Sequence, residues 1–374
     1  MKKLRINNTL LPLFFIINTI ITSYTSYPMD GKKIKIPAQH IVFLPNNILA
    51  IASHKSLIVY DLNKNEQIKE KKLSHPVDDI AINKTRSRLA VSCQGYAKQY
   101  TTETLKSCGE FFSPSGVFFP ITFNSQKSNQ LVIHDSCPDF SHSRLFFLDR
   151  SISIETYKRH TLTYITCHPH KAEIIYISSS ERNQCFCSKS IATTNAQDFT
   201  ISNNIDYYAL EYQYSPNAHY TLINYKHGLH FQKSEEQQPS TSKLITCKKY
   251  NTTSHDPFVQ FPSAIFYPNS NFFVTLSHQC ILEYWDCETV LNAGTQPSSI
   301  KAYHSTPLYK KDTFLNRYSL EKRLSFSPDG THLAIALPDK CLILPVPTSV
   351  IISSFDPELQ KIILLLLSTK NKWQ

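Results

Sequence analysis

The residues most suited to chemistry sit together at Cys167-His168-Pro169-His170, with Cys185 and Cys187 on the next apolar segment. Mixed thiolate and imidazole ligands would suit a tetrahedral zinc ion. The pattern around them gives a simpler account. Residues 168–171 fill a turn that recurs along the chain, and Cys167 ends an apolar strand and points into a core. No metal or cofactor is therefore expected, and no metal-ligating residue is assigned. The sequence holds no Gly-x-Ser-x-Gly, no His-Glu-x-x-His, no phosphate loop and no dinucleotide fingerprint. With 7 Gly in 374 residues, loops that cradle phosphate are hard to build. No catalytic residue is assigned either. Asn251-Thr252-Thr253 fits a glycosylation acceptor, which matters only in a eukaryotic secretory route.

The chain carries 10 Cys. Several lie inside apolar segments, as at Cys93, Cys167, Cys280 and Cys341, where a thiol behaves as a small hydrophobe. Cys280 and Cys287 flank one strand-like run and would lie ~20 Å apart if extended, too far to bridge. Cys185 and Cys187 share one face of a strand, a strained place for a bond. Mostly free thiols are expected.

The formal net charge is +10, spread along the chain in short runs such as Lys69–Lys72, Lys248-Lys249 and Lys310-Lys311. Such runs read as solvated loop charge, or as attraction to an anionic surface or acidic partner. No nucleic-acid motif accompanies them, and nucleic-acid binding is not expected.

Lys2, Lys3 and Arg5 precede a short apolar run, Leu10–Ile21, followed by Thr22, Ser23, Thr25 and Ser26. This is the layout of a signal peptide over residues 1–26, and the run is too short for a comfortable membrane span. Export to the periplasm or the medium is expected, with a membrane anchor as the alternative if the segment is retained.

From residue 33 onward apolar residues alternate with a period of two, and turn clusters punctuate them, which reads as all-β. One unit recurs. Leu324-Ser-Phe326 turns through Ser327-Pro328-Asp329-Gly330 into Leu333-Ala-Ile335-Ala, then Leu342-Ile-Leu344. Pro328 presets φ, Asp329 can bond back to the backbone, and Gly330 takes the positive-φ position. Copies turn at positions 45, 84, 125, 169, 216, 268 and 328. A period of ~40–45 residues with four strands is the mark of a propeller blade. Gln232–Thr246 and Asn292–Tyr318 read as loop insertions that stretch the later copies. Val350–Ser354 is a candidate outer strand for the last copy, and Lys33–Ile36 competes for the same place.

The chain resembles the WD40-repeat family. Ser327–Gly330 matches that family's Ser-Pro-Asp-Gly turn, Trp285-Asp286 its Trp-Asp ending, Tyr60-Asp61 a variant of it, and Ser74-His75 stands where Gly-His is usual. The resemblance implies a seven-bladed β-propeller of four-stranded blades over residues 33–355, a rigid scaffold whose faces bind peptides and proteins.

Residues 356–370 differ. Asp356 suits an N-cap, Pro357 the first helical position and Glu358 the positive end, so a short C-terminal amphipathic helix is expected. It either packs on the propeller or is offered to a partner's groove. Asp356-Pro-Glu-Leu359 with Ile362 to Leu367 resembles the opening helix of F-box-like segments, which implies an adaptor role as a minor alternative. The main expectation is a non-catalytic, exported protein-binding scaffold that is not an enzyme. The alternative from another class is a propeller hydrolase or lyase with its site at the axial channel.

Overall fold

In the computed structural model the described residues are 31–113, 120–125, 127, 129–136, 143–147, 152–155, 161–171, 173–179, 184–190, 196–199, 209–225, 228–234, 243–245, 263–269, 271–277, 279–293, 302–308, 322–353 and 360–361. The segment 1–26 lies outside them, and so does the helix expected at 356–370 except for Gln360 and Lys361, which are helical.

Seven four-stranded antiparallel sheets follow one another along the described chain. The first holds His40–Leu44, Ile48–Ser53, Ser56–Asp61 and Glu66–Lys72, and the second Val77–Ile82, Arg88–Cys93, Tyr96–Thr101 and Ser107–Phe112. The third holds Ile121–Phe123, Leu131–Ser136, Ser143–Phe147 and Ile152–Glu155; the fourth, Thr161–Cys167, Glu173–Ser179, Gln184–Ser190 and Ala196–Phe199. The fifth holds Ala209–Tyr214, Tyr220–Tyr225, Gly228–Lys233 and Lys243–Ile245; the sixth, Ser263–Phe266, Phe272–Leu276, Ile281–Asp286 and His304–Pro307. Leu324–Phe326, His332–Ala336 and Cys341–Pro345 make the last sheet, and Lys32–Ile34, from the opposite end of the chain, is its fourth strand.

The first strands of the first five sheets lie side by side in order, that of the sixth lies beside that of the last, and Leu324–Phe326 returns to lie beside His40–Leu44. The fifth and sixth sheets are joined at this level by the Gln213 amide, which donates to Ala264 O at 2.9 Å. This circuit of inner strands is an all-β propeller. A four-stranded unit cannot bury both faces alone, so each stacks on its neighbour. The apolar clusters accordingly straddle consecutive sheets. Val42, Val59, Val91 and Tyr100 join the first to the second. Phe231, Phe273 and Trp285 join the fifth to the sixth. Phe231 stacks on Phe273 at 5.1 Å and Phe273 on Trp285 at 6.2 Å, while Trp285 Nε1 donates to Thr275 Oγ1 at 2.9 Å, so the buried indole leaves no donor unmet.

The recurrent turn has one construction. Ser327 Oγ donates to Asp329 Oδ1 and accepts the His332 amide at 2.9 Å; Gly330 sits at φ +71°. Ser215 and Asn217 repeat it, with Ser215 Oγ donating to Asn217 Oδ1 at 2.7 Å and accepting the Tyr220 amide at 2.9 Å. The aspartates after Tyr60 and Trp285 also cap turns: Asp61 accepts the Asn63 amide at 2.8 Å, and Asp286 the Thr289 amide at 2.7 Å.

Three expectations are corrected. The described part of Val350–Ser354 is no strand: helix α2 spans Thr348–Ser353, where Val350 is buried and the amides of Val350 and Ile351 bond to Pro347 O. The outer place it vacates is taken by Lys32–Ile34, in register Lys32↔Ile343 to Ile34↔Cys341. Gln232–Thr246 and Asn292–Tyr318 are not wholly loop, because Lys243–Ile245 and His304–Pro307 supply outer strands. A six-residue helix, α1 (Cys287–Asn292), capped by Asp286, stands before the second of these.

Candidate functional site

The inner strands surround an axial cavity of about 500 Å³, walled by Ile80, Ile165 and Ile265 among apolar residues and by Tyr164, Glu211 and Lys322 among polar ones. Three inner strands carry a register shift near their starts: between Val77 and Asp79, Leu162 and Tyr164, and Ala209 and Glu211. A bulge kinks the strand and re-aims the side chain that follows it. Asp79, Tyr164 and Glu211 are thereby brought to one end of the channel, with Lys322 and Arg323 arriving from the approach to the last sheet.

Asp79 is fully engaged. Its Oδ1 accepts the Ile80 amide at 2.7 Å and faces Lys322 Nζ at 2.9 Å, and its Oδ2 accepts the Ile121 amide of the third sheet at 3.0 Å. Lys322 also donates from Nζ to Ile80 O at 2.8 Å, and its amide donates to His40 Nδ1 at 3.0 Å. His40 is buried and held neutral: burial pushes it down to about 4, and the cations of Lys322 and Arg323 act in the same direction. Arg323 Nη1 donates to Ala336 O at 3.3 Å.

Glu211 is different. Its carboxylate accepts from Gln213 Nε2 at 2.5 Å and from the Asn224 side chain, both neutral amides. Burial pushes it up to about 7, with Asp79 adding to the rise and the amides and Lys322 opposing it. Tyr164, near both carboxylates, is held protonated by burial. At the far end of the cavity Arg86, at φ +55°, donates from Nη1 to Phe43 O at 2.7 Å and ties the second sheet to the first.

The thiol and imidazole group read from the sequence does not assemble into a ligand set among the described residues, where no group of three or more His, Cys, Asp or Glu is placed to hold a metal. His168 Nδ1 accepts the amides of His170 and Lys171 at 3.1 and 3.0 Å, and its ring packs on Tyr214 at 4.7 Å. The Cys167 thiol is pushed up to about 12 by burial. The side chains of Cys185 and Cys187 lie outside the description. The described cysteines 93, 108, 167, 280, 287 and 341 are thiols that form no disulfide.

Sequence reasoning missed the channel end. Its signal was a charge interrupting an apolar strand, at Asp79 before Ile80-Ala-Ile82 and at Glu211 inside Ala209–Tyr214, and the pair Lys322-Arg323 leading into Leu324. No motif marks these positions, because the bulges that converge them belong to three separate sheets.

No described helix is long and apolar enough to cross a membrane. No family model matches the sequence, and no curated protein matches it significantly. Solved structures do. A chain of Kuenenia stuttgartiensis hydrazine synthase aligns with TM-score 0.63 and 12% identity over 86% of this chain and 99% of its own. The β-propeller domain of Cps50 (Swd1) from Myceliophteria thermophila aligns with TM-score 0.60 and 10% identity over 85% and 100%. The WD40 repeats of RRP9 align with TM-score 0.63 and 11% identity over 84% and 97%. At such identities the likeness speaks of architecture alone, and that architecture is the β-propeller, which this chain shares with the WD40-repeat domains among these structures.

Proposed function

We propose that this protein is a non-catalytic scaffold that binds a protein partner, built as one ring in which the seven sheets are seven blades. The observation that carries this reading is the use of the polar groups at the channel end. Asp79, Lys322, His40 and Arg323 all close hydrogen bonds between or within sheets. Groups spent on holding a ring together make a rigid platform, and loops on a rigid platform carry recognition. The WD40 likeness supports the same reading. The C-terminal segment 356–370 is the proposed handle for the partner, and the basic start followed by Leu10–Ile21 supports export.

Affinity capture with the full chain tests the partner. A stoichiometric protein captured by the wild type, and lost on deletion of residues 356–374 with the circular dichroism spectrum unchanged, is the expected result. Capture of nothing specific counts against it. N-terminal sequencing of the exported protein should begin near residue 27, and a start at Met1 counts against cleavage.

Glu211 favours one second reading. A carboxyl poised near neutrality beside Tyr164 in a cavity is where a general base would stand. Turnover by the purified chain, abolished in Glu211→Gln, would move the protein to the enzyme class.

A further inference from the structure

We infer that the axial cavity is a binding site for a primary alkylammonium ion, with Glu211 as its counter-ion and the aliphatic channel wall as the bed for its stem. The inference goes beyond the scaffold reading and is independent of it, since it concerns the isolated ring.

The polar groups at this end divide into two kinds. Asp79 has a cation at 2.9 Å and two backbone amides. Glu211 has two neutral amides and, among the described residues, no ion-paired Lys, Arg or His. Lys322, the cation whose field reaches Glu211, is held elsewhere by Asp79 and by Ile80 O. Glu211 is half-buried in the cavity wall, and even partial removal of a carboxylate from water without an opposite charge is costly. Here a bulge in the strand delivers it to the cavity. The same device delivers Tyr164 to the cavity wall near it, and a tyrosine ring attracts a cation.

The shape of the cavity narrows the ligand. Its volume is about 500 Å³, and its lining includes Ile80, Ile165 and Ile265 beside the polar groups. A compact, charged head with several donors and a slim apolar tail satisfies both regions. An ammonium head supplies three donors to a carboxylate already holding two amides. Two cations also line the cavity, but Lys322 is held by Asp79 and Ile80 O, and Arg86 donates to Phe43 O at the far end, so the ammonium head seats at Glu211. The groups facing Glu211 from the elements packed around it are Lys322, Asp79 and Tyr164, with His40 behind Lys322; His40, held near 4, stays neutral, and Tyr164 stays protonated, near neutral pH. Glu211 is therefore the group that ionises when the ligand arrives.

The test is isothermal titration of the purified full chain with n-butylamine, with butanol and butanoate as controls. Saturable binding of the amine alone is expected. Affinity should be about tenfold weaker at pH 6 than at pH 8, because the amine must find the carboxylate ionised. At pH 7, in two buffers of different ionisation heat, binding should release about half a proton. Glu211→Gln, which keeps an oxygen for the Gln213 amide, should lose at least about tenfold in affinity, a difference of ~1.4 kcal/mol, and release no proton. Absence of saturable binding at millimolar amine, equal binding of butanol, or binding without proton release in the wild type overturns the proposal. The wild-type pH and buffer measurements stand even if the variant folds poorly, and none of these outcomes bears on partner capture.

Discussion

Lys322 Nζ lies 2.9 Å from Asp79 Oδ1, so the residue leading into the last sheet is tied to the second sheet across the start of the first. His40, which heads the first sheet, accepts the Lys322 amide from below the same pair. Three sheets thus meet at one ion pair, and the Asp79 bond to Ile121 brings in a fourth. A carboxylate that satisfies two amides and a cation is felt when removed, because its partners stay behind without it. Asp79→Ala should cost about 2–4 kcal/mol in urea unfolding. Asp79→Ala and Lys322→Ala together should destabilise less than the sum of the two alone, by about 0.5–3 kcal/mol, as residues in one network do.

Glu211 makes stability fall as pH rises. Its folded value of about 7 stands above its ordinary 4.5, so between these two the folded protein holds a proton that the unfolded chain has lost. The penalty grows from pH 4.5 upward and is complete above 7. Glu211→Gln should therefore stabilise the protein at pH 8 by about 2–3 kcal/mol relative to its effect at pH 4.5. Melting temperatures of the two proteins across that range check this. A gain at pH 8 from a variant that loses the amine is what a binding residue held at the expense of the fold should give.

His40 and His230 act on the acid side. Burial pushes both down to about 4 from 6.5, so the unfolded chain takes up protons that the folded one refuses. Their contribution is intact above pH 6.5 and is lost as pH falls towards 4. His40→Asn, which retains an acceptor for the Lys322 amide, should flatten the dependence of stability on pH between 6.5 and 4. An unchanged slope in denaturant titrations at several pH values would contradict this.

The thiols should separate into two classes. Cys93 and Cys280 are pushed up to about 11 by burial, and Cys167 and Cys341 to about 12, whereas Cys108 is exposed on the outer strand of the second sheet. Reaction needs the thiolate and access to it. In native protein a maleimide should modify Cys108 well before these four, and all should react in denaturant. Peptide mapping by mass spectrometry reads the order directly.

The closing strand should be sensitive at Gly31. A β-carbon there would come within 2.9 Å of Ile343 O and collide with the Leu344 side chain. Gly31→Val should cost about 1–3 kcal/mol by pushing Lys32–Ile34 away from Cys341–Pro345. Thermal unfolding measures it.

Much of the ring was legible in the sequence, because the recurrent turn is local chemistry. Ser327, Pro328, Asp329 and Gly330 specify their bonds within six residues, and so do Ser215 and Asn217. What was not legible depends on distance along the chain. Val350–Ile352 and Lys33–Ile36 are both short β-branched segments that could supply an outer strand, and the register with Cys341–Pro345 is what assigns that place to Lys32–Ile34. The candidate site was hidden for the same reason. Asp79, Tyr164 and Glu211 are single polar residues in different sheets, and the bulges that gather them leave no motif.

The pairing of Lys32 with Ile343 and of Ile34 with Cys341 also fixes how the ring would fail under load. The strands run antiparallel, so the chain enters at Lys32 and leaves past Pro345 on the same side of the pair. A pull between those two points would open the pairing like a zipper, one hydrogen bond at a time, instead of shearing all of them together. If the chain were threaded through a pore or hauled by an unfolding motor from either end, this seam would part first, with the inner strands still in place.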